Sequence, residues 1–439
     1  MVESFQIPFS IHEKVLSNGM HVTVVYRKGF KRMSAQLAFP FGSLHQRLQD
    51  RIGLEQEIPA GTAHFLEHQL FKQADGSSIS DAFAVLGAYD NAFTNFDHTV
   101  YMADCSDNQA EVLQLLLDYT DQPFFQKESV ENEKEIIVQE LMMYKDQPEE
   151  SLEINLRQGL YGRHPAGEDI GGTEETVRKV TPELLYACYD AYYKPTLARL
   201  VVVADLPAEE VFALAESWGS YKRAGFSPLW PASSTSPGAE SEFSIVARAA
   251  RPLIGLGFGD YRKTPQSGPA LLRRQLEMDI LVDLLFGRSS AFYWQLMEEQ
   301  LFGSSFHSDY HATPYFGAMI LGADSLDPVQ LKNKILTYLN TPDLELIIEP
   351  EAVARLKRKT LGELLSAFEN SEELAINLVT AGLYGYRFTD IPQQLQEITE
   401  TDLLNRFREL LVGRTPVVSY VYPNQETETN DVDSDEISE

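Results

Sequence analysis

The chain has 439 residues, enough for two to three ordinary domains. With 36 Lys and Arg against 65 Asp and Glu, its formal net charge of −29 argues against gripping a nucleic-acid backbone, which needs clustered cations. A hydrophobic fraction of 44% supports a large core and excludes wholesale disorder, and two cysteines, Cys105 and Cys188, fit buried thiols in a reducing compartment.

The first predicted element is a hairpin. Val15 leads to Asn18-Gly19, whose residue types suit a type I′ turn, and Met20 to Tyr26 alternates as a strand. Ser34 to Phe39 reads as another strand. Helical periodicity runs from about Gly61 to Gln73 and again from Ser78 to Leu86. Ala92 to Ala103, rich in Phe, Thr, Val and Tyr, reads as a single strand. Amphipathic helices follow at Asn108 to Thr120 and Glu128 to Tyr144. Thr181 with Pro182 opens a helix to Tyr193, and Leu200 to Val203 is a short apolar strand.

Phe226 to Glu242 then carries three prolines among Ser, Thr, Ala and Gly, which is linker chemistry. Beyond it the same element types resume. Strands are expected at Ser244 to Val246, Ile254 to Phe258 and Phe316 to Leu321. Helices are expected at Glu277 to Phe286, Ala291 to Gln300 and Glu349 to Glu369. The expected class is α+β, with two similar α+β domains, each an antiparallel-rich sheet with helices packed on one face. The domains are residues 1–222 and 243–423, joined by a linker at 223–242. Similarity between the halves lies in size and element type, not in residue identity. Asn424 to Glu439 holds seven acidic residues and no basic one, so a disordered acidic tail is expected there. No export signal or spanning segment is visible, and a cytoplasmic location without membrane contact is expected.

One pentapeptide carries chemistry: His64-Phe65-Leu66-Glu67-His68. At about 100° per residue, His64, Glu67 and His68 share one face of a helix. Two imidazoles at i and i+4 can hold a zinc ion, and a neighbouring carboxylate can take a proton from water. The order is the inverse of the commoner zinc-protease motif. A catalytic zinc wants a third protein ligand, and the helix Glu128 to Tyr144 offers Glu133 and Glu140, two turns apart on one side. Glu131 and Glu135 on that helix read as solvated. Other candidates are weaker. His307, Asp309 and His311 alternate on one strand face. His98 is expected to face outward or touch a peptide. His164-Pro165 and Asp169 to Gly172 read as structural loops.

The motif, followed by Glu133 and Glu140, resembles the insulinase (pitrilysin) family of zinc metallopeptidases, the inverzincins. Leu16-Ser17-Asn18-Gly19-Met20, Phe41-Gly42-Ser43, Asn91-Ala92-Phe93-Thr94 and Tyr192-Tyr193-Lys194-Pro195 extend the likeness, which is nearest to short, two-domain bacterial members that work as dimers. The resemblance implies that His64, His68 and Glu140 hold one Zn²⁺ per chain, that Glu67 is the general base, and that Glu133 orients a ligand. It implies that Asn91, Ala92, Phe93 and Thr94 form an edge strand for an extended peptide substrate. The 71 residues between His68 and Glu140 number a few fewer than the family's commonest gap.

Family members that cleave peptides carry an Arg and a Tyr seven residues apart in the second half, which form a clamp on the substrate carbonyl. Here the matching positions are Met297 and Ser304, which cannot donate in that way. The expectation is therefore a catalytic subunit forming half of a chamber, in a heterodimer with a zinc-less homologue that supplies Arg and Tyr, rather than a homodimer. The expected activity is endopeptidase action on small unfolded peptides or on a leader or precursor peptide. The rival reading is a non-catalytic scaffold or peptide-binding subunit of the same fold.

Overall fold

The opening hairpin forms at the predicted place with a different turn. In the computed structural model, which describes residues 9–221, 225–231, 236–262 and 266–424, Ser10–Val15 pairs antiparallel with His21–Tyr26. A type I′ turn needs positive φ at both central residues, and only Gly19 has it, at 93°. The Gly19 N–H bonds the Leu16 carbonyl at 2.9 Å, while Asn18 Oδ1 accepts from the Met20 N–H at 2.9 Å. Asn18 Nδ2 donates to the Ala215 and Trp218 carbonyls, so the asparagine ties the turn to the Ala208–Glu216 helix instead of twisting it.

The predicted single strand at Ala92 to Ala103 is a second hairpin. Tyr89–Thr94 pairs antiparallel with Thr99–Cys105, and the Asn95 N–H bonds the His98 carbonyl at 2.8 Å across the turn. Asn95 Oδ1 accepts from the Phe96 N–H. Short Asn and Asp side chains bond locally and break a strand; the β-prone residues on either side mask this signal.

Six strands form the first sheet, in the order Ser10–Val15, His21–Tyr26, Arg199–Ala204, Met33–Phe39, Thr99–Cys105, Tyr89–Thr94. Five form the second, in the order Glu242–Ala247, Val417–Pro423, Leu253–Gly259, Gly317–Asp324, Phe306–Ala312. From His21–Tyr26 onward the two sheets match strand for strand: one parallel pair, then three antiparallel pairs. The halves are thus a repeat of topology that residue identity does not reveal. Tyr89–Thr94 and Phe306–Ala312 occupy equivalent outer edges.

The sheets exchange helices. Pro148–Tyr161, which precedes the linker, lies on the second sheet against Leu253–Gly259 and Val417–Pro423. Ser371–Tyr384, from the far end of the chain, lies on the first sheet against Met33–Phe39 and Arg199–Ala204. Met33–Phe39 and Thr99–Cys105 are consequently buried at every position. The polar Gln36 is accommodated on this second face by donating to the Glu372 carbonyl at 3.2 Å.

Glycines set the approach of the exchanged helix. A Cβ on Gly257 would lie 2.8 Å from Leu160 Cδ1, and one on Gly159 would lie 2.4 Å from Val417 Cγ1 and 2.8 Å from Phe243 Cε2. Overpacking a tight contact costs about 1–3 kcal/mol. Gly159→Val is therefore expected to lower unfolding stability by about 2 kcal/mol or more, read as a lowered urea midpoint. An unchanged midpoint would contradict this packing.

Within the predicted linker, Ser227–Pro228 adds a short strand to Arg47–Gln49. The predicted acidic tail, apart from Asn424, lies outside the described residues. Among the described residues, no helix is long and apolar enough to cross a membrane. Cys105 and Cys188 are free and buried.

Candidate metal centre

The helix that carries the motif spans Thr62–Leu70. Its first turn is seated by glycines. Gly61 has φ 85°, and a Cβ there would lie 2.2 Å from the Gly171 carbonyl oxygen; a Cβ on Gly172 would lie 2.5 Å from the Ala60 carbonyl oxygen. The Asp169 to Gly172 loop is thus a close-fitting stop for this helix. Phe65 and Leu66 are fully buried in the core of the first half. With those two pointing inward, the 3.6-residue period turns His64 and His68 toward the Lys127–Lys145 helix. That helix anchors itself through Val130, Ile137, Val138 and Leu141, which are buried, and so presents Glu133 and Glu140 to the motif.

The side chains converge. His64 Nε2 and His68 Nε2 stand 3.2 Å apart, and Glu140 places Oε1 3.9 Å from the first and Oε2 3.7 Å from the second. Among the described residues, His64, His68 and Glu140 are the one group of three whose ligand atoms all lie within 4.8 Å of one another. Zn–N bonds of 2.0–2.1 Å in tetrahedral geometry separate two nitrogens by about 3.3 Å. Two lone-pair nitrogens and a carboxylate aimed at one point are an acceptor-only set, which a divalent cation satisfies. The donor set therefore fits zinc.

Neighbouring groups tune these atoms. Burial first, and the nearby His68 second, pull the His64 pKa down to about 3, so its imidazole is neutral. Burial also pulls His68 down, but the Glu133 hydrogen bond and surrounding carboxylates outweigh it and leave its pKa raised. Glu133 Oε1 lies 3.0 Å from His68 Nδ1, and Glu133 Oε2 lies 3.3 Å from Lys72 Nζ. Burial raises the Glu67 carboxyl, partly offset by Thr94, whose Oγ1 donates to Glu67 Oε2 at 2.5 Å. Thr94 belongs to the edge strand, so the strand and the carboxylate are mechanically linked.

The remaining candidates fall elsewhere. Glu131 and Glu135 are exposed, paired with Lys134 and Arg178. His98 is not outward-facing: it is buried, with Nδ1 2.6 Å from Asp97 Oδ1 and its ring against Phe93 and Tyr384. Its position in the hairpin turn, not in a strand, is the reason. His307, Asp309 and His311 line a cavity of about 400 Å³ under the exchanged Pro148–Tyr161 helix. His164 Nδ1 accepts from the Ala166 N–H and is structural. Met297, on the Ala291–Glu298 helix, is about half exposed, and the Ser304 N–H bonds Asp324. Sequence reasoning missed Lys72 and the side chain of Thr94. Lys72 follows His68 at i+4, a spacing that places it near Glu133; Thr94 had no such local signal.

Comparison with known proteins agrees with this geometry. Residues 52–174 match the model of "Insulinase (Peptidase family M16)", and residues 179–360 match "Peptidase M16 inactive domain". The uncharacterized zinc protease YmfH of Bacillus subtilis is 31% identical over 430 residues, covering 96% of this chain and 99% of that one. The crystal structure of an M16-like peptidase from Alicyclobacillus acidocaldarius superposes with a TM-score of 0.88 at 30% identity, over 96% of this chain and 100% of that one. The periplasmic protease PqqL of Escherichia coli shares the fold at 19% identity and a TM-score of 0.70; 95% of this chain covers 48% of that one. The convergent donor set and these matches together place the chain in the insulinase family of peptidases, family M16.

Proposed function

We propose that the chain is the zinc-bearing subunit of an endopeptidase acting on small unfolded peptides or on a leader or precursor peptide. The observation that carries this reading is the meeting of His64 Nε2, His68 Nε2 and the Glu140 carboxylate beside Glu67. These three residues would hold the metal, one per chain. When bound, Zn²⁺ supplies Lewis acidity to water and to the scissile carbonyl. Glu67 takes the proton from water and passes it to the leaving amine. Its raised pKa suits a group that must both accept and release a proton, and Thr94 fixes its direction. Asn91, Ala92, Phe93 and Thr94 lie on a sheet edge whose outer backbone groups can pair with an extended peptide. Glu133 orients His68 from behind.

A scaffold or peptide-binding role without catalysis is the second reading. It is favoured by the "inactive domain" match over the second half and by Met297 and Ser304 at the clamp positions. Metal analysis separates the two. About one zinc per chain, lost on His68→Ala, is expected for the peptidase; purified chain that takes up no zinc supports the scaffold.

A further inference from the structure

The two oxygens of the Glu133 carboxylate are held by different partners. His68 Nδ1 takes one at 3.0 Å, and Lys72 Nζ stands 3.3 Å from the other. Glu133 is only 3% exposed, whereas the Lys72 side chain is 38% exposed. A buried carboxylate needs both its charge and its lone pairs answered. His68 reaches only one of the two oxygens, so the second needs a partner of its own.

The lysine is itself well placed to do this. Its N–H bonds the Gln69 carbonyl at 3.2 Å, and its backbone forms an isolated bridge with Ser78. The ammonium therefore springs from a fixed backbone at the end of the motif helix. It borders a cavity of about 370 Å³ together with Ser129, Asn132 and Glu133. Neither Glu67 nor Thr94 lines that cavity.

We propose that Lys72 is a positioning residue for the metal centre: it pins the Glu133 carboxylate at its second oxygen, and Glu133 in turn holds His68 in the tautomer that directs the Nε2 lone pair at the point between His64 and Glu140 where the metal would sit. The inference rests on the zinc reading given above. A bare surface ion pair would leave metal affinity unchanged, whereas loss of a partner that orients a ligand weakens it by about 10–100-fold.

The test is zinc affinity of the full chain, measured by competition with a chromogenic chelator, with no peptide present. Lys72→Met is expected to weaken Zn²⁺ binding by about tenfold or more, and Lys72→Arg to stay within about threefold of the parent. If Lys72→Met does not fold, Lys72→Gln takes its place under the same criteria. In a Glu133→Gln background, Lys72→Met is expected to change affinity by less than about threefold, because the group it acts through is already altered. Parent-like affinity in Lys72→Met, or an equal loss in both backgrounds, overturns the role of Lys72 while leaving the zinc centre standing. A parent chain that binds no Zn²⁺ overturns the centre and the lysine's role together.

Discussion

Glu67→Gln is expected to keep about one zinc per chain and to bind peptide, yet to lose hydrolysis by about 10²–10⁴-fold. The substitution is nearly isosteric. Glu67 is 8% exposed, and its carboxylate accepts from Thr94 Oγ1, a bond that an amide oxygen can also accept. The atoms that would hold the metal are those of His64, His68 and Glu140, so the donor set is unchanged. What disappears is the ability to take a proton from water, a loss of about 3–5 kcal/mol in transition-state stabilisation. Zinc analysis, peptide binding and peptide cleavage on the same preparation separate these effects. Turnover near the parent rate would remove Glu67 from the role of general base.

What the sequence discloses about this centre follows how local each contact is. His64, Glu67 and His68 lie within two helical turns, so helical periodicity alone groups them. Glu133 and Glu140 sit on a second helix, and their common face could be read from seven-residue spacing, but their meeting with the motif is tertiary. The contact of Thr94 with Glu67 spans 27 residues and depends on a hairpin that the β-prone run around Asn95 and Asp97 conceals. The seat of the motif helix on Gly171 and Gly172 is equally remote in sequence. The fold behaves in the same way. Element types are legible from period and turn chemistry. The matching order of strands in the two sheets, and the exchange of Pro148–Tyr161 against Ser371–Tyr384, are pairing facts that no single segment encodes.

The isolated chain is expected to cleave peptides slowly, and a zinc-less homologue carrying the Arg and Tyr clamp is expected to raise the rate by about 10²–10³-fold, the contribution of one oxyanion donor. Neither residue at the clamp positions can serve. The Met297 thioether has no N–H or O–H, and at 49% exposure it faces solvent rather than a partner group within the chain. Ser304 has a short hydroxyl, and its backbone is drawn to Asp324. Charge favours an unlike partner: two copies at −29 each repel more strongly than one copy and a less acidic subunit. Native mass measurement on the active species decides the matter. A complex of one 49.5 kDa chain with one clamp-bearing chain supports completion in trans, and full activity from a homodimer of this chain alone would sink it.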